Sequence, residues 1–163
     1  MATTEQMTPH WLDDDEQRTW RAYLRATHLL NVQLERELQR DSGLSHADYQ
    51  ILVQLSEAPD RRLRMSELAT FTQSSRSRLS HAVARLERAG WVGRESCPTD
   101  KRGAFAVLTG AGFATLAAAA PAHVEGVRAH LFDQLTDDQV RQLGEIAGAI
   151  GHHLEPLAAG ADA

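Results

Sequence analysis

The chain has 163 residues, 42% of them hydrophobic and 6% aromatic, with a single cysteine and a formal charge of −5. That suffices for one folded domain with helical extensions; no apolar run approaches the ~20 residues of a membrane span, and the lone Cys97 excludes an internal disulfide and any CxxC site. The charge is unevenly placed: residues 61–103 hold ten Lys/Arg and four acids, a net +6, while the remainder carries −11. A basic block inside an acidic chain suits a polyanion-binding surface, although solvated helix faces would give the same composition, so the motifs must decide. The acidic start lacks the basic-then-apolar order of a signal peptide, and the expectation is a cytoplasmic protein.

In chain order, residues 1–10 are expected to be disordered. A helix is predicted over 13–40, where Trp20, Tyr23, Leu24, Thr27, Leu30, Leu34 and Leu38 recur at three- and four-residue steps, and Asp41-Ser42-Gly43 ends it. Ser45 caps the next helix with Asp48 at its third position, Leu44 and Tyr49 are spaced as a hydrophobic staple, and Ala58-Pro59-Asp60 is the stop. Residues 61–65 read as a short strand. Ser66 is predicted to cap a helix through Phe71; Gln73-Ser74-Ser75 breaks it, and a further helix runs from Arg76 to Ala89 with Gly90 as its stop. Two strands follow, 91–97 and 104–108, joined by the turn-rich Pro98-Thr99-Asp100-Lys101-Arg102-Gly103. A long helix over 111–134, kinked at Pro121, and a last helix capped by Thr136 with Gln139 complete the chain, with a frayed tail after Pro156.

Helix, short turn, helix, then two strands with a loop is the winged helix-turn-helix order. At 100° per residue, Leu79, Ala82, Val83 and Leu86 fall on one side of the 76–89 helix. Ser77, Arg78, His81, Ala84, Arg85 and Arg88 fall on the other, with no bulky apolar side chain among them. Small residues permit close approach to a groove, and Arg offers the bidentate donors that match guanine. The first turn of such a helix makes most base contacts, which selects Ser75, Arg76, Ser77, Arg78, His81 and Arg85 as candidate DNA-reading residues. Arg102 at a hairpin tip is expected in a minor groove, oriented by Asp100 and accompanied by Arg94 and Lys101.

The chain resembles the multiple antibiotic resistance regulator (MarR) family. The matching residues are Leu68-Ala69, then Arg85-Leu86-Glu87-Arg88-Ala89-Gly90-Trp91-Val92, then Asp100-Lys101-Arg102-Gly103, Val107-Leu108-Thr109 and Gly112. The resemblance spans residues 13–157, with its specific motifs in 66–112. It implies a mainly α fold with a small β-wing: a winged helix-turn-helix plus long dimerisation helices. The expected organisation is a flexible N-terminus (1–12), an N-terminal dimerisation helix (13–43), the winged helix-turn-helix domain (44–110), C-terminal dimerisation helices (111–157) and a flexible tail (158–163). It further implies a homodimer on a palindromic operator in double-stranded DNA, acting as a repressor relieved by a small ligand. The family's ligand pocket lies between the dimer helices and the DNA-binding lobe. Trp20, Tyr23, Arg25, His28 and Tyr49 are its candidates here, suited to a planar aromatic or phenolic anion, with ordinary core packing as the competing reading.

Other chemistry is less well supported. The eight histidines include no HxxxH pair at ligand spacing, so no metal or cofactor is expected. Cys97, near Arg94 and Lys101, is read as a structural thiol, with a redox- or metal-responsive regulator of the same fold as the alternative. No GxSxG, HExxH or phosphate-binding glycine loop is present, so an enzyme is not expected. A winged-helix adaptor for a protein partner would show exposed apolar anchors on the reading helix, and the outward face has none.

Overall fold

The computed structural model describes the backbone of residues 9–97 and 100–160, and their side chains except those of residues 97, 100–102 and 158–160. The expected flexible N-terminus (1–12) and tail (158–163) fall largely outside the described residues, as does the Cys97 thiol. The chain divides into two units, 1–33 and 34–163, and helix α1 (Asp14–Ser42) begins in the first and ends in the second.

In the first unit, α1 starts from a reciprocal cap: the Glu16 N–H donates to Asp13 Oδ1 at 2.8 Å, and the Asp13 N–H donates to Glu16 Oε2 at 2.9 Å. Beyond it, Trp20 and Tyr23 lie one turn apart with stacked rings, centroids 6.1 Å apart.

The second unit holds the core. Helix α2 (His46–Glu57) is capped by Ser45, whose hydroxyl accepts from the Asp48 N–H at 3.1 Å, and Leu44 and Tyr49 are both buried, as the staple spacing predicts. A short 3-10 turn over Pro59–Arg61, with Asp60 and Arg61 at positive φ, leads into β1 (Arg62–Arg64). Helix α3 (Met65–Phe71) starts two residues earlier than a Ser66 cap predicts. The Arg64 N–H donates to Glu67 Oε2 at 3.0 Å, so the acid three residues on, and not the serine hydroxyl, fixes the first turn. Helix α4 (Arg76–Arg88) follows a tight turn in which Gln73 takes a positive φ, and Gly90 (φ 75°) reverses the chain into β2 (Val92–Cys97).

Strand β3 (Asp100–Leu108) is longer than predicted. The sheet order is β1–β3–β2, all antiparallel, with Arg64 opposite Phe105 and Val92 opposite Leu108. Of the expected loop 98–103, residues 98 and 99 lie outside the described residues and 100–103 are a correction: Asp100 already pairs with Cys97, while the next pair is Ser96 with Ala104. Residues 101–103 are therefore taken up by a register shift inside the strand. The turn-forming residues of this stretch mark an irregular strand as readily as a loop.

Helix α5 (Gly110–His130) runs through Pro121 without interruption and ends earlier than expected, in a 3-10 turn over Phe132–Gln134. Helix α6 (Asp137–Gly160) has the predicted cap: Gln139 N–H to Thr136 Oγ1 at 3.3 Å, and Thr136 N–H to Gln139 Oε1 at 2.9 Å. It continues through Pro156 where fraying was expected. The core joins α2, α3, α4, the sheet and the start of α5 through side chains such as Leu52, Leu55, Leu68, Leu79, Leu86 and Leu116. The architecture is mainly helical with a small wing.

Candidate nucleic-acid interface

Helix α4 divides as its periodicity predicts. Leu79, Ala82, Val83 and Leu86 are buried, and Ser77, Arg78, His81, Arg85 and Arg88 are exposed. Arg76, Ser77, Arg78 and His81 carry no side-chain partner among the described residues, so their donors are available. Ser75 is the N-cap: its hydroxyl accepts from the Arg78 N–H at 3.3 Å, which leaves its own O–H for another acceptor. The exposed N-terminal turn of α4 thus combines unpaired backbone donors, two guanidinium groups and small side chains, a set suited to phosphate oxygens and base edges.

Two of the candidate DNA contacts have protein partners. Arg85 donates from Nη2 to Asp48 Oδ1 at 2.6 Å and from Nε to Oδ2 at 3.2 Å. The Asp48 carboxylate raises the pKa of Arg85, against a smaller opposing effect of burial. Arg94, at the root of the wing, donates from Nη2 to the Ser80 carbonyl at 2.9 Å, and its Nε lies 3.0 Å from Glu87 Oε2. It ties β2 to α4. The side chains of Asp100, Lys101 and Arg102 lie outside the described residues; their backbone belongs to β3.

A cleft of about 450 Å³ opens between the start of α4, the start of α3 and the wing. Arg64, Arg76 and Arg94 line it, together with Ser66 and Ser80. Elsewhere the basic block is braced by rings: Arg61 stacks 3.8 Å from the Phe113 centroid, and Arg62 4.2 Å from that of Phe105. The sequence places Asp48 in the Ser45 cap and Glu87 in the family motif, but does not reveal either as the partner of an arginine. Asp48 stands 37 residues from its partner, beyond any local period. Glu87 and Arg94 flank the Gly90 reversal, and that spacing was the available signal.

The candidate ligand residues belong to different units. Trp20, Tyr23, Arg25 and His28 are exposed on α1 in the first unit. Tyr49 is buried in the second, with the His123 ring 4.5 Å away and His46 5.9 Å beyond that ring. His46, Tyr49, Gln50, Gln54, Phe71 and His123 border a cavity of about 230 Å³. Burial and the neighbouring His46 push the His123 pKa down, with Glu37 opposing; burial pushes that of Tyr49 up. Sequence reasoning missed His46 and His123 because they lie on α2 and α5, far apart in the chain.

Residues 42–103 match the family model described as MarR family. The HTH-type transcriptional repressor YetL of Bacillus subtilis is 32% identical over 107 residues, and that match spans 64% of this chain and 64% of YetL. Sco3205 of Streptomyces coelicolor, a MarR family transcriptional regulator crystallised in complex with DNA, is 53% identical, with 92% of this chain and 94% of that one covered and a TM-score of 0.88. AbsC, another MarR family transcriptional regulator of that organism, is 47% identical over 91% of this chain and 99% of its own, with a TM-score of 0.85. With the exposed basic face of α4, the wing and near-complete coverage by such relatives, the chain belongs to the MarR family of transcriptional regulators.

Proposed function

We propose that the protein is a homodimeric repressor that binds a palindromic operator in double-stranded DNA and is released from it by a small aromatic ligand. The observation that carries DNA reading is the exposed Arg76, Ser77, Arg78 and His81 row on α4, backed by a buried Leu79–Leu86 side and flanked by the wing. The DNA complex of Sco3205, at 53% identity, supports it. No helix among the described residues is long and apolar enough to cross a membrane.

The proposed organisation assigns 44–110 to DNA binding and 13–43 with 111–157 to dimerisation. Ile146, Ile150, Leu154 and Leu157 on α6 and Val124 on α5 are all exposed in the single chain. Such an apolar stripe favours cover by a second copy. For the ligand, the cavity beside Tyr49, His46 and His123 offers aromatic walls and polar edges.

The test is a mobility-shift titration of the full chain against its own upstream DNA, with and without a panel of aromatic carboxylates and phenols. A shifted band on a fragment with two half-sites about 10 bp apart is expected, abolished by the effective ligand. No preference over random duplex would refute the operator reading. Release by peroxide alone, lost in Cys97→Ser, would replace the ligand with oxidation.

A further inference from the structure

Asp48 is the one buried charged residue among the described residues, 6% exposed, and it sits on α2 and not on the reading helix. Both its carboxylate oxygens are engaged. Oδ1 accepts from Arg85 Nη2; Oδ2 accepts from Arg85 Nε and, at 2.7 Å, from the Ser45 hydroxyl that caps α2. Fork-to-fork pairing fixes the plane of a guanidinium as well as its place. The apolar contacts of Leu79, Val83 and Leu86 decide which side of α4 turns inward, but apolar burial has no direction of its own and tolerates small rotations. The Arg85 pair supplies that direction. Arg85 also stands on the stripe of Arg78 and His81, seven and four residues after them, so a tether there sets how those two side chains are presented.

We infer that Asp48 is a positioning residue for DNA reading: through Arg85 it fixes the rotation of α4, and Arg85 itself is not a DNA contact. The inference rests on the DNA-binding reading above. It differs from what charge and helix face alone suggest for Arg85, because the side chain's Nε and Nη2 already have an acceptor.

The two roles predict opposite behaviour. A phosphate contact contributes about one unit to the slope of log affinity against log salt, and a strut contributes nothing to it. Removing a negative charge near a DNA-binding face should tighten binding if Arg85 is thereby freed for DNA, and weaken operator binding if the pair holds the helix. The experiment is a fluorescence-anisotropy titration of the full chain on the upstream fragment and on a random duplex of equal length. Each is repeated at several salt concentrations for wild type, Arg85→Gln, Asp48→Asn and the double variant.

Each single variant is expected to lose roughly tenfold on the operator fragment, keep its random-duplex affinity and keep the wild-type salt slope, with the double variant no worse than either single. A slope reduced by about one unit in Arg85→Gln, or wild-type or tighter operator binding by Asp48→Asn, overturns the inference. Equal losses on both duplexes also overturn it, since they report stability and not presentation. If Asp48→Asn does not fold, Arg85→Gln decides alone: its side chain is 51% exposed, and the slope together with the operator-to-random ratio separates strut from contact. Wild-type protein that binds neither duplex would refute the DNA reading itself, whereas wild-type binding with unaffected variants would refute only the role of Asp48.

Discussion

Gly112→Ala should be among the most damaging single-methyl changes in this protein. Gly112 lies in the first turn of α5, under the carbonyl of Trp91, and a Cβ there would fall within the van der Waals shell of that backbone oxygen. The same Cβ would stand 2.8 Å from Leu108 Cδ1 and 2.9 Å from the Trp91 carbonyl carbon. Normal carbon contacts are about 3.5–4.0 Å, so the turn must move by on the order of half an ångström or more. Trp91 cannot yield freely, because its oxygen also accepts from the Thr109 N–H at 3.0 Å and the Thr109 hydroxyl at 3.1 Å. Displacing the turn weakens that anchor, about 1 kcal/mol, and the Thr109 cap on the Gly112 N–H, about 1 kcal/mol. Overpacking against Leu108 adds about 1–3 kcal/mol, and the gain in helix propensity returns at most about 1 kcal/mol. The net loss is about 3 kcal/mol, or about 6–12 °C in Tm for a chain of this size. Thermal melts followed by circular dichroism at one protein concentration would measure it. Gly126→Ala is the control: its Cβ would meet the Glu37 Oε2 tip at 2.7 Å and Leu34 Cδ2 at 3.4 Å. A carboxylate tip can swing away, at the expense of a partly exposed contact to His130 worth about 0–1 kcal/mol, so this variant should melt within about 2 °C of wild type. A Gly112→Ala protein that melts with wild type, or a Gly126→Ala protein that falls as far, would refute the reasoning.

Arg78→Ala and His81→Ala should each change the preferred operator bases more than the affinity for random DNA, by about 1–3 kcal/mol of discrimination; binding-site selection that returns the wild-type motif for both would rule out α4 as the reader. Leu143 and Ile150 are exposed on α6, so polar substitution of both should give a monomer in sedimentation analysis that has lost operator binding. A folded double variant that remains dimeric would move the interface elsewhere. For His123, whose folded pKa is lowered by burial and by His46 with Glu37 opposing, the unfolded chain binds the extra proton. Stability should therefore fall as pH drops below the ordinary histidine range of about 6.5, and His123→Asn should flatten that part of the Tm-against-pH curve. Parallel curves for the two proteins would show that His123 does not titrate differently on folding.

Local chemistry was readable from the chain wherever the controlling residues are neighbours. The Ser45 and Thr136 caps, the Gly90 reversal and the buried side of α4 all follow from spacings of a few residues. The start of α3 was misplaced because a serine hydroxyl and a glutamate arm compete for adjacent turns, and the acid prevailed at Arg64. Within the wing, residues 100–103 read as loop because Asp, Lys and Gly suit a register shift in a strand as well as a turn. What spacing could not give was pairing between distant elements. Arg85 and Arg94 were assigned to DNA by charge and face; their carboxylate and carbonyl partners emerge only when α2 and β2 pack on α4. The same holds for His46, Tyr49 and His123, which folding gathers from α2 and α5.

The internal obligations of α4 also limit how the DNA preference proposed for it can be rewritten. A helix grafted from a relative must keep Leu79, Ala82, Val83 and Leu86 for packing, Arg85 for Asp48 and Glu87 for Arg94. Ser80 serves through its carbonyl, so its side chain is open to change. The editable alphabet is thereby confined to positions 76–78, 80, 81, 84 and 88. A library restricted to those sites should yield folded proteins with new sequence preferences, whereas wholesale exchange of the helix would sever it from both the strand behind it and the helix beneath it.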